Sequence, residues 1–442
     1  MRRHKTAIAD MERADSEKFQ HLVAICMYKE PLDVLIHTLN SVARQKEAMS
    51  KISVVIGLEE GTPERNAKEL QLIQKFKPKF KRFIVTVHPK NLPGDIPGKC
   101  SNLNFAARFS VDLIKKDLGT SFSASKIIVT TGDCDSVLPP GYFTLLEKEY
   151  GESSAQERLR TIWQSPLFYQ MCLSNSPFFV RVIGYLRSFF MMGLLIPWNL
   201  NTMSIFSLGL ELYELGGYTH PGYQMEDIIA LIRWSLKSKT SCRIKALMVA
   251  TMSGPTSGKN YLDEIKEWAR QIERWTIGAG EVFHYFMVKF RRIPVLSAVS
   301  WAFKFLLYYV VMLCIAPIFS IVAPAIVQAM FQMQKTGPPN GLLIQSETAF
   351  NYCLIALLGL QYFWFFIVYV LNYLAQPCFP DNIHDSTSIW RCLLHFLLSF
   401  PTVVGYCLVE LWGFTLLTVK GKSVCQHKAA KKIGLDDRIE KF

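Results

Sequence analysis

Paired cysteines are missing from this sequence. Its eleven Cys, at positions 26, 100, 134, 172, 242, 314, 353, 378, 392, 407 and 425, are scattered singly, with no CxxC and no Cys/His array at zinc spacing. That excludes a zinc module and a disulfide framework, and free thiols in a reducing compartment are expected. The first stretch, MRRHKTAIADMERADSEKF, is basic but lacks the apolar core of a signal peptide, so nothing in it directs the front half across a membrane. Internal repeats and low-complexity tracts are also absent. The front half shows no basic face with interleaved aromatics, so nucleic acid is not an expected partner. Acidic residues are the minority: 49 Lys+Arg face 36 Asp+Glu, a formal charge of +13, in 442 residues that are 50% hydrophobic and 13% aromatic. The balance is too apolar for disorder and too charged for a pure membrane bundle. Its surplus of cations suits anionic lipid headgroups and a polyanionic substrate.

What is plentiful is apolar sequence beyond Pro294. Val295 to Met333, Phe350 to Leu374 and Cys392 to Val419 are long and charge-poor enough to cross about 30 Å of hydrocarbon, which predicts an integral membrane protein. The first block carries Lys304 near its start and Pro317 and Pro324 inside, and is long enough to be two short helices. Lys289, Arg291 and Arg292 precede it, while Lys420, Lys422, Lys428, Lys431 and Lys432 follow the last block. Both flanks favour the cytosolic side, which calls for an even number of crossings, hence four; three with a re-entrant piece also fit. A further apolar stretch, SPFFVRVIGYLRSFFMMGLLIPW (176–198), holds Arg181 and Arg187. It is expected to lie at the membrane interface with its arginines snorkelling.

From residue 21 the pattern alternates. LVAICMY (22–28) is a short apolar run, and Pro31 opens a stretch in which Leu32, Leu35, Ile36, Leu39 and Val42 recur at helical spacing. KISVVIGL (51–58), FIVTV (83–87) and KIIVT (126–130) read as further strands, separated by a helix through Leu70 and Ile73 and another from about Ser101. Such alternation predicts an α/β fold, a mostly parallel sheet covered on both faces with its ligand crevice at the carboxyl ends of the strands. Polar chemistry collects at those ends. Lys29 and Glu30 follow the first strand, Glu59, Glu60 and Gly61 the second, Lys99, Asn102 and Asn104 the third, and Asp133, Cys134 and Asp135 the fourth. Each group alone reads as a turn; their arrival at one edge points to a site.

Asp133 and Asp135 stand two apart, a spacing at which carboxylates can share one hard divalent cation and leave positions for phosphate oxygens. An Asp-capped turn is the plain alternative. Glu226 and Asp227 open an amphipathic helix in GYQMEDIIALIRW, either as partners of the helix dipole or with a carboxylate serving as general base toward a hydroxyl. Gln271, Arg274 and Trp275 share one face of a helix. Arg and Gln can hold diphosphate oxygens and a Trp ring can carry a sugar face; an interfacial helix with a packed Trp is the plainer reading.

The order KEP, LEEG, GKCSNLN, DCD, QSP, GGY, MED and QIERW, from about residue 21 to 283, resembles the processive family 2 glycosyltransferases, the superfamily of cellulose, chitin and hyaluronan synthases. The resemblance implies an N-terminal tail (1–20), a GT-A-type, Rossmann-like catalytic domain (21–250), QxxRW and interfacial helices (251–293), a transmembrane region of three to four helices (294–419) and a basic cytosolic tail (420–442). It implies that Asp133 and Asp135 hold a nucleotide-sugar diphosphate with Mg²⁺ or Mn²⁺, that Lys99, with Asn102 and Glu30, lies beside the nucleotide, and that Gln164 of QSP lies near the acceptor. Asp227, next to Glu226, takes the place of the general base, and Gln271, Arg274 and Trp275 cover the diphosphate and the acceptor. Glu59 and Glu60 stand where the family usually has an Asp pair facing the nucleobase, and Met225 replaces the Thr of its TED motif. The implied activity is inverting sugar transfer to a growing polysaccharide or glycan. Single transfer to a polyprenyl phosphate or other lipid, and a non-catalytic scaffold of a synthase complex, are the alternatives. Expected partners are a nucleotide-sugar donor, a saccharide or lipid-linked acceptor, membrane lipid, and a homo-oligomer or synthase complex. The catalytic domain is expected on the cytosolic side of the plasma membrane or of the Golgi or endoplasmic reticulum.

Overall fold

The structure is a computed structural model that describes residues 19–169, 176–254, 256, 258–336, 347–378 and 387–421. Most of the expected N-terminal tail, and the basic tail with Lys422, Lys428, Lys431 and Lys432, lie outside the described residues.

Apolar, β-branched runs set the sheet. They form β1 (Gln20–Met27), β2 (Ile52–Glu59), β3 (Arg82–His88) and β4 (Ile127–Asp133). β1 and β2 are buried at nearly every residue, as strands covered on both faces must be, whereas β3 at the sheet edge alternates. Between them run α1 (Leu32–Ala43), α2 (Arg65–Phe76) and α3 (Lys99–Leu118), and α4 (Tyr142–Glu152) follows the Pro139–Pro140 pair. Leu35, Leu39 and Val42 of α1 are fully buried, which is the face their spacing announces.

The sheet is larger than the four runs foretell. With β5 (Thr161–Gln164), β7 (Phe206–Gly209) and β8 (Arg243–Ala246) it has seven strands in the order β3-β2-β1-β4-β7-β5-β8. β6 (Leu167–Phe168) and β9 (Thr251–Met252) pair separately. β7 runs antiparallel to β4 and β5, while the other pairings are parallel. The expected mostly parallel α/β sheet is therefore present. Its registers align the carboxyl ends: Cys26 pairs with both Gly57 and Asp133, and Glu59 pairs with His88.

α5 (Phe178–Phe190), α6 (Glu226–Ser238) and α7 (Tyr261–Lys289) complete the front of the chain. Behind them α8 (Val295–Phe305) continues through a wider, π-type stretch (Leu306–Ile315) into α9 (Ala316–Thr336), and α10 (Glu347–Ala375), α11 (Ile389–Leu397) and α12 (Ser399–Lys420) follow. Of the two forms open to Val295–Met333, one long helix or two short ones, the structure has a helix that runs on unbroken. The π-type stretch lies just before Pro317 and makes room for the ring, which would otherwise clash with the carbonyl four residues back. Four helical segments among the described residues are long and apolar enough to cross a membrane: Phe178–Leu195, Val295–Met333, Glu347–Ala375 and Ser399–Lys420.

The first of these is not a free interfacial helix. α5 packs on β6 on one side and on α10, α11 and α12 on the other. Arg181 is fully buried, bonding the Tyr185 hydroxyl at 2.8 Å and Thr387, so the snorkelling arginine is corrected to an inward-facing one. Held between β6 and the apolar helices, α5 gives Arg181 polar partners inside the protein.

Candidate active site

A cavity of about 390 Å³ opens along the carboxyl edge of β1 to β4, with residues of α6 and α7 forming its far wall. A cleft of that size suits a small organic ligand. Glu30, Glu59, Lys99, Asn102, Asp133, Glu226, Asp227, Gln271, Arg274 and Trp275 line it; Glu60, Asp135 and Gln164 do not.

Its centre is a knot of charge. Gly98, at φ 148°, turns the chain so that α3 starts at Lys99. The Lys99 Nζ lies 2.8 Å from Asp133 Oδ1 and 2.8 Å from Glu226 Oε1. Burial alone would lower the Lys99 ammonium, but Asp133, Glu226 and Asp227 outweigh it and raise the group well above its ordinary value. Asp227 is buried at the start of α6, with Oδ1 accepting from the Ile228 amide at 2.9 Å and its carbonyl accepting from Thr202 Oγ1 at 2.6 Å. Burial first, and the Glu226 carboxylate second, push the Asp227 carboxyl up to about 7. Arg274 reaches the same centre from α7, where Asp133, Glu30, Asp227 and Glu226 are its charged neighbours. A guanidinium stays charged there. Around the whole cavity six acids, Glu30, Glu59, Asp95, Asp133, Glu226 and Asp227, face four fixed cations, Lys90, Lys99, Arg187 and Arg274, an excess of acid that suits a further cation. Cys26 also lines the cavity, but burial holds its thiol well above the ordinary range, so it is no thiolate nucleophile.

α6 and α7 are held to each other at this point. Glu281 of α7 accepts from the Gln224 amide at 2.8 Å and the Met225 amide at 3.4 Å. Gly278, with no Cβ, leaves the space that the Met225 side chain fills. Met225 therefore packs against α7, and it fixes the turn that presents Asp227.

Asn102 lines the cavity and also ties α3 to the sheet, its Nδ2 donating to the Gly57 carbonyl at 3.0 Å. Gly57 makes this approach feasible, since a Cβ there would collide with Asn102. Gln164 is fully buried; its Oε1 accepts from the Met203 amide at 2.8 Å and its Nε2 donates to the Ile205 carbonyl, so it supports the segment whose Met203 and Ser204 reach the cavity. Glu60 accepts from the Lys90 amide at 2.9 Å and is exposed. Asp135 is buried, with Oδ2 accepting from the Gly254 amide at 3.0 Å.

Two further residues matter here: His88, which the sequence pattern does not single out, and Arg187, whose expected place snorkelling at the interface is corrected to the cavity wall. His88 ends β3 as Glu59 ends β2, and its ring nitrogens lie 3.2 Å from Glu59 Oε2 and 3.1 Å from Asp95 Oδ2. Burial lowers the imidazole, but the two carboxylates outweigh it and raise it above its ordinary value. The signal was a His at the same strand end as an acid. Arg187 of α5 also lines the cavity, its guanidinium carbon 3.1 Å from the Trp275 ring centroid and 5.6 Å from that of Tyr169. One face of the Trp275 ring is thereby covered by a cation. A lone charge inside an apolar run was the signal for it.

No family profile matches the chain, and no curated protein matches it. Among solved structures it is similar to PcManGT, a mannosyltransferase from Pyrobaculum calidifontis in complex with GDP-Man and Mn²⁺, with a TM-score of 0.46, 11% identity, and 89% of this chain and 88% of that chain covered. It is also similar to glucosyl-3-phosphoglycerate synthase from Mycobacterium tuberculosis in complex with Mn²⁺, UDP and phosphoglyceric acid, with a TM-score of 0.34, 14% identity, and 59% and 78% of the two chains covered.

Proposed function

We propose that the chain is a membrane-embedded, inverting glycosyltransferase of GT-A type that moves a sugar from a nucleotide-sugar donor to a hydroxyl of a growing polysaccharide or glycan. One observation supports this reading above the rest: Asp133, Asp227 and Arg274, carried by β4, α6 and α7, line a single cavity. The donor diphosphate belongs between Lys99 and Arg274, whose charges oppose those of its oxygens. The nucleobase belongs at the end of β2 and β3, beside Glu59 and His88. Asp227, nearly neutral in affinity at physiological pH, takes the proton of the attacking hydroxyl as the acceptor oxygen bonds to the anomeric carbon. The bond from that carbon to the diphosphate oxygen breaks with its electron pair leaving on the diphosphate. One displacement inverts the configuration.

The acid surplus fits a Mg²⁺ or Mn²⁺ ion at Asp133, whose carboxylate lines the cavity. When bound, such an ion neutralises charge on the diphosphate. Asp135, committed to the Gly254 amide, does not face the cavity, and no group of three or more His, Cys, Asp or Glu gathers for a metal among the described residues. Diphosphate oxygens and water would supply the remaining positions.

The catalytic domain is placed by this reading at the cytosolic face. The test is a donor screen: purified full chain, Mg²⁺ or Mn²⁺, radiolabelled nucleotide sugars and membrane lipid extract, with the product sized. A ladder of saccharides is the expected result; no incorporation from any donor contradicts it.

A further inference from the structure

Arg187 stands apart from the other cations of the cavity. Lys99 is paired with carboxylates and Arg274 is surrounded by them, whereas the principal electrostatic neighbours of Arg187 are Tyr169, Tyr406, Tyr308 and Glu410. The one acid among these is already engaged, since Glu410 accepts from Thr276 and, at 2.6 Å, from the Tyr406 hydroxyl. The Nη1 of Arg187 is buried with no hydrogen-bond partner among the described residues. An unpaired buried charged donor is costly, and it persists where a ligand completes it.

Its position says where that ligand comes from. Arg187 sits over the Trp275 ring and lines the cavity, and a guanidinium can make the planar, two-pronged contact that phosphate oxygens accept. Two and three residues further along α5, Phe189 and Phe190 meet each other at 6.2 Å between ring centroids, and meet Trp364 of α10 and Tyr308 of the π-type stretch at 6.3 Å and 6.5 Å respectively. Trp364 is exposed on the apolar exterior. A row of touching rings, Tyr308, Phe190, Phe189 and Trp364, therefore runs from beside Arg187 to the apolar exterior. We propose that Arg187 binds a phosphate-type anion on a lipid-linked acceptor, which enters along this row and presents its sugar hydroxyl to Asp227. The proposal rests on the transferase reading above and names its acceptor class.

The test uses the full chain in dodecyl maltoside micelles, with dodecyl phosphate, dodecanol and inorganic phosphate titrated separately by calorimetry, and a nucleoside diphosphate with Mn²⁺ titrated as an independent arm. Saturable binding of dodecyl phosphate, little of dodecanol, and a weakening of about tenfold or more in Arg187→Gln are expected. Arg187→Lys keeps the charge but not the fork and is expected between the two, and an unchanged elution volume on size exclusion shows that each variant is folded. Equal binding of dodecyl phosphate by wild type and Arg187→Gln, or by wild type and Arg187→Lys if the Gln protein does not fold, overturns the site and leaves Arg187 a structural partner of Trp275. Inorganic phosphate binding as tightly as dodecyl phosphate overturns the lipid source. Arg187-dependent binding of dodecyl phosphate without any nucleoside diphosphate binding supports the anion site while contradicting the transferase reading.

Discussion

A carboxyl that keeps its proton up to about 7 is a base only above that pH, so the chemistry at Asp227 should switch on across neutrality. We expect kcat/KM to fall about tenfold per pH unit below 7, in a pH profile of sugar transfer. Asp227→Asn should lower transfer by about 10²–10⁴. The same shift has the opposite sign for stability. Between 3.8 and about 7 the folded protein holds a proton that the unfolded chain has released, so stability falls as pH rises through that window and stays lower above it. Asp227→Asn should then be the more thermostable protein at pH 8, by roughly 1–3 kcal/mol. His88 has the same slope for a different reason: its value is raised by favourable partners, so its bonds to Glu59 and Asp95 stabilise fully below 6.5 and that contribution is lost as pH rises through the raised value. His88→Gln should cost about 1–3 kcal/mol at pH 6 and less at pH 9, read by thermal unfolding in detergent. At this scale the acids were legible, because Asp133, Glu226 and Asp227 stand where strands end or a helix begins. Arg187 and His88 were not, since their meaning depends on partners distant in sequence: Trp275 for Arg187, Glu59 and Asp95 for His88.

Elements hold these residues in place through glycines. Gly278 on α7 admits Met225, and a Cβ on Gly413 of α12 would come within 2.9 Å of the Thr276 Cβ, so both helices approach α7 closely because side chains are missing. Gly278→Val should push the turn before Asp227 away from α7 and lower transfer by about tenfold or more, since small misplacements of a base are costly. Gly359→Val on α10, where a Cβ would meet nothing within 4 Å, is the control and should leave transfer unchanged. The elements that the sequence revealed were the long ones, β1 to β4 as apolar runs and α1, α2, α3, α6 and α7 as helices. β5, β7 and β8 are four residues each, too short for a period to register, and their pairing is decided by tertiary neighbours. The unbroken α8–α9 helix was hidden by its two prolines: Pro317 follows the widened stretch at the second residue of α9, and Pro324 sits inside α9.

For the whole molecule the decisive feature is how much large apolar surface remains outside. Val295, Leu296, Ile389 and Trp390 are each at least 75% exposed, and the apolar windows of α10 and α12 bury only 11% and 28% of their residues. A surface of that kind is stable against lipid and not against water, so the chain should stay in the membrane pellet after alkaline carbonate extraction and enter solution only with detergent. The α5 and α7 helices pack on α12 and carry Arg187, Gln271, Arg274 and Trp275 into the cavity, so the charged site lies beside the apolar helices. The common cavity of Asp133, Asp227 and Arg274 is the claim on which the rest depends. Its most direct test measures nucleotide-sugar binding and sugar transfer side by side in the wild type, Asp133→Asn, Arg274→Ala and Asp227→Asn, all in detergent with Mn²⁺. The account predicts weakened binding in the first two variants and near-normal binding without transfer in Asp227→Asn. Transfer by Asp227→Asn at the wild-type rate, or donor binding indifferent to Asp133 and Arg274, would contradict it.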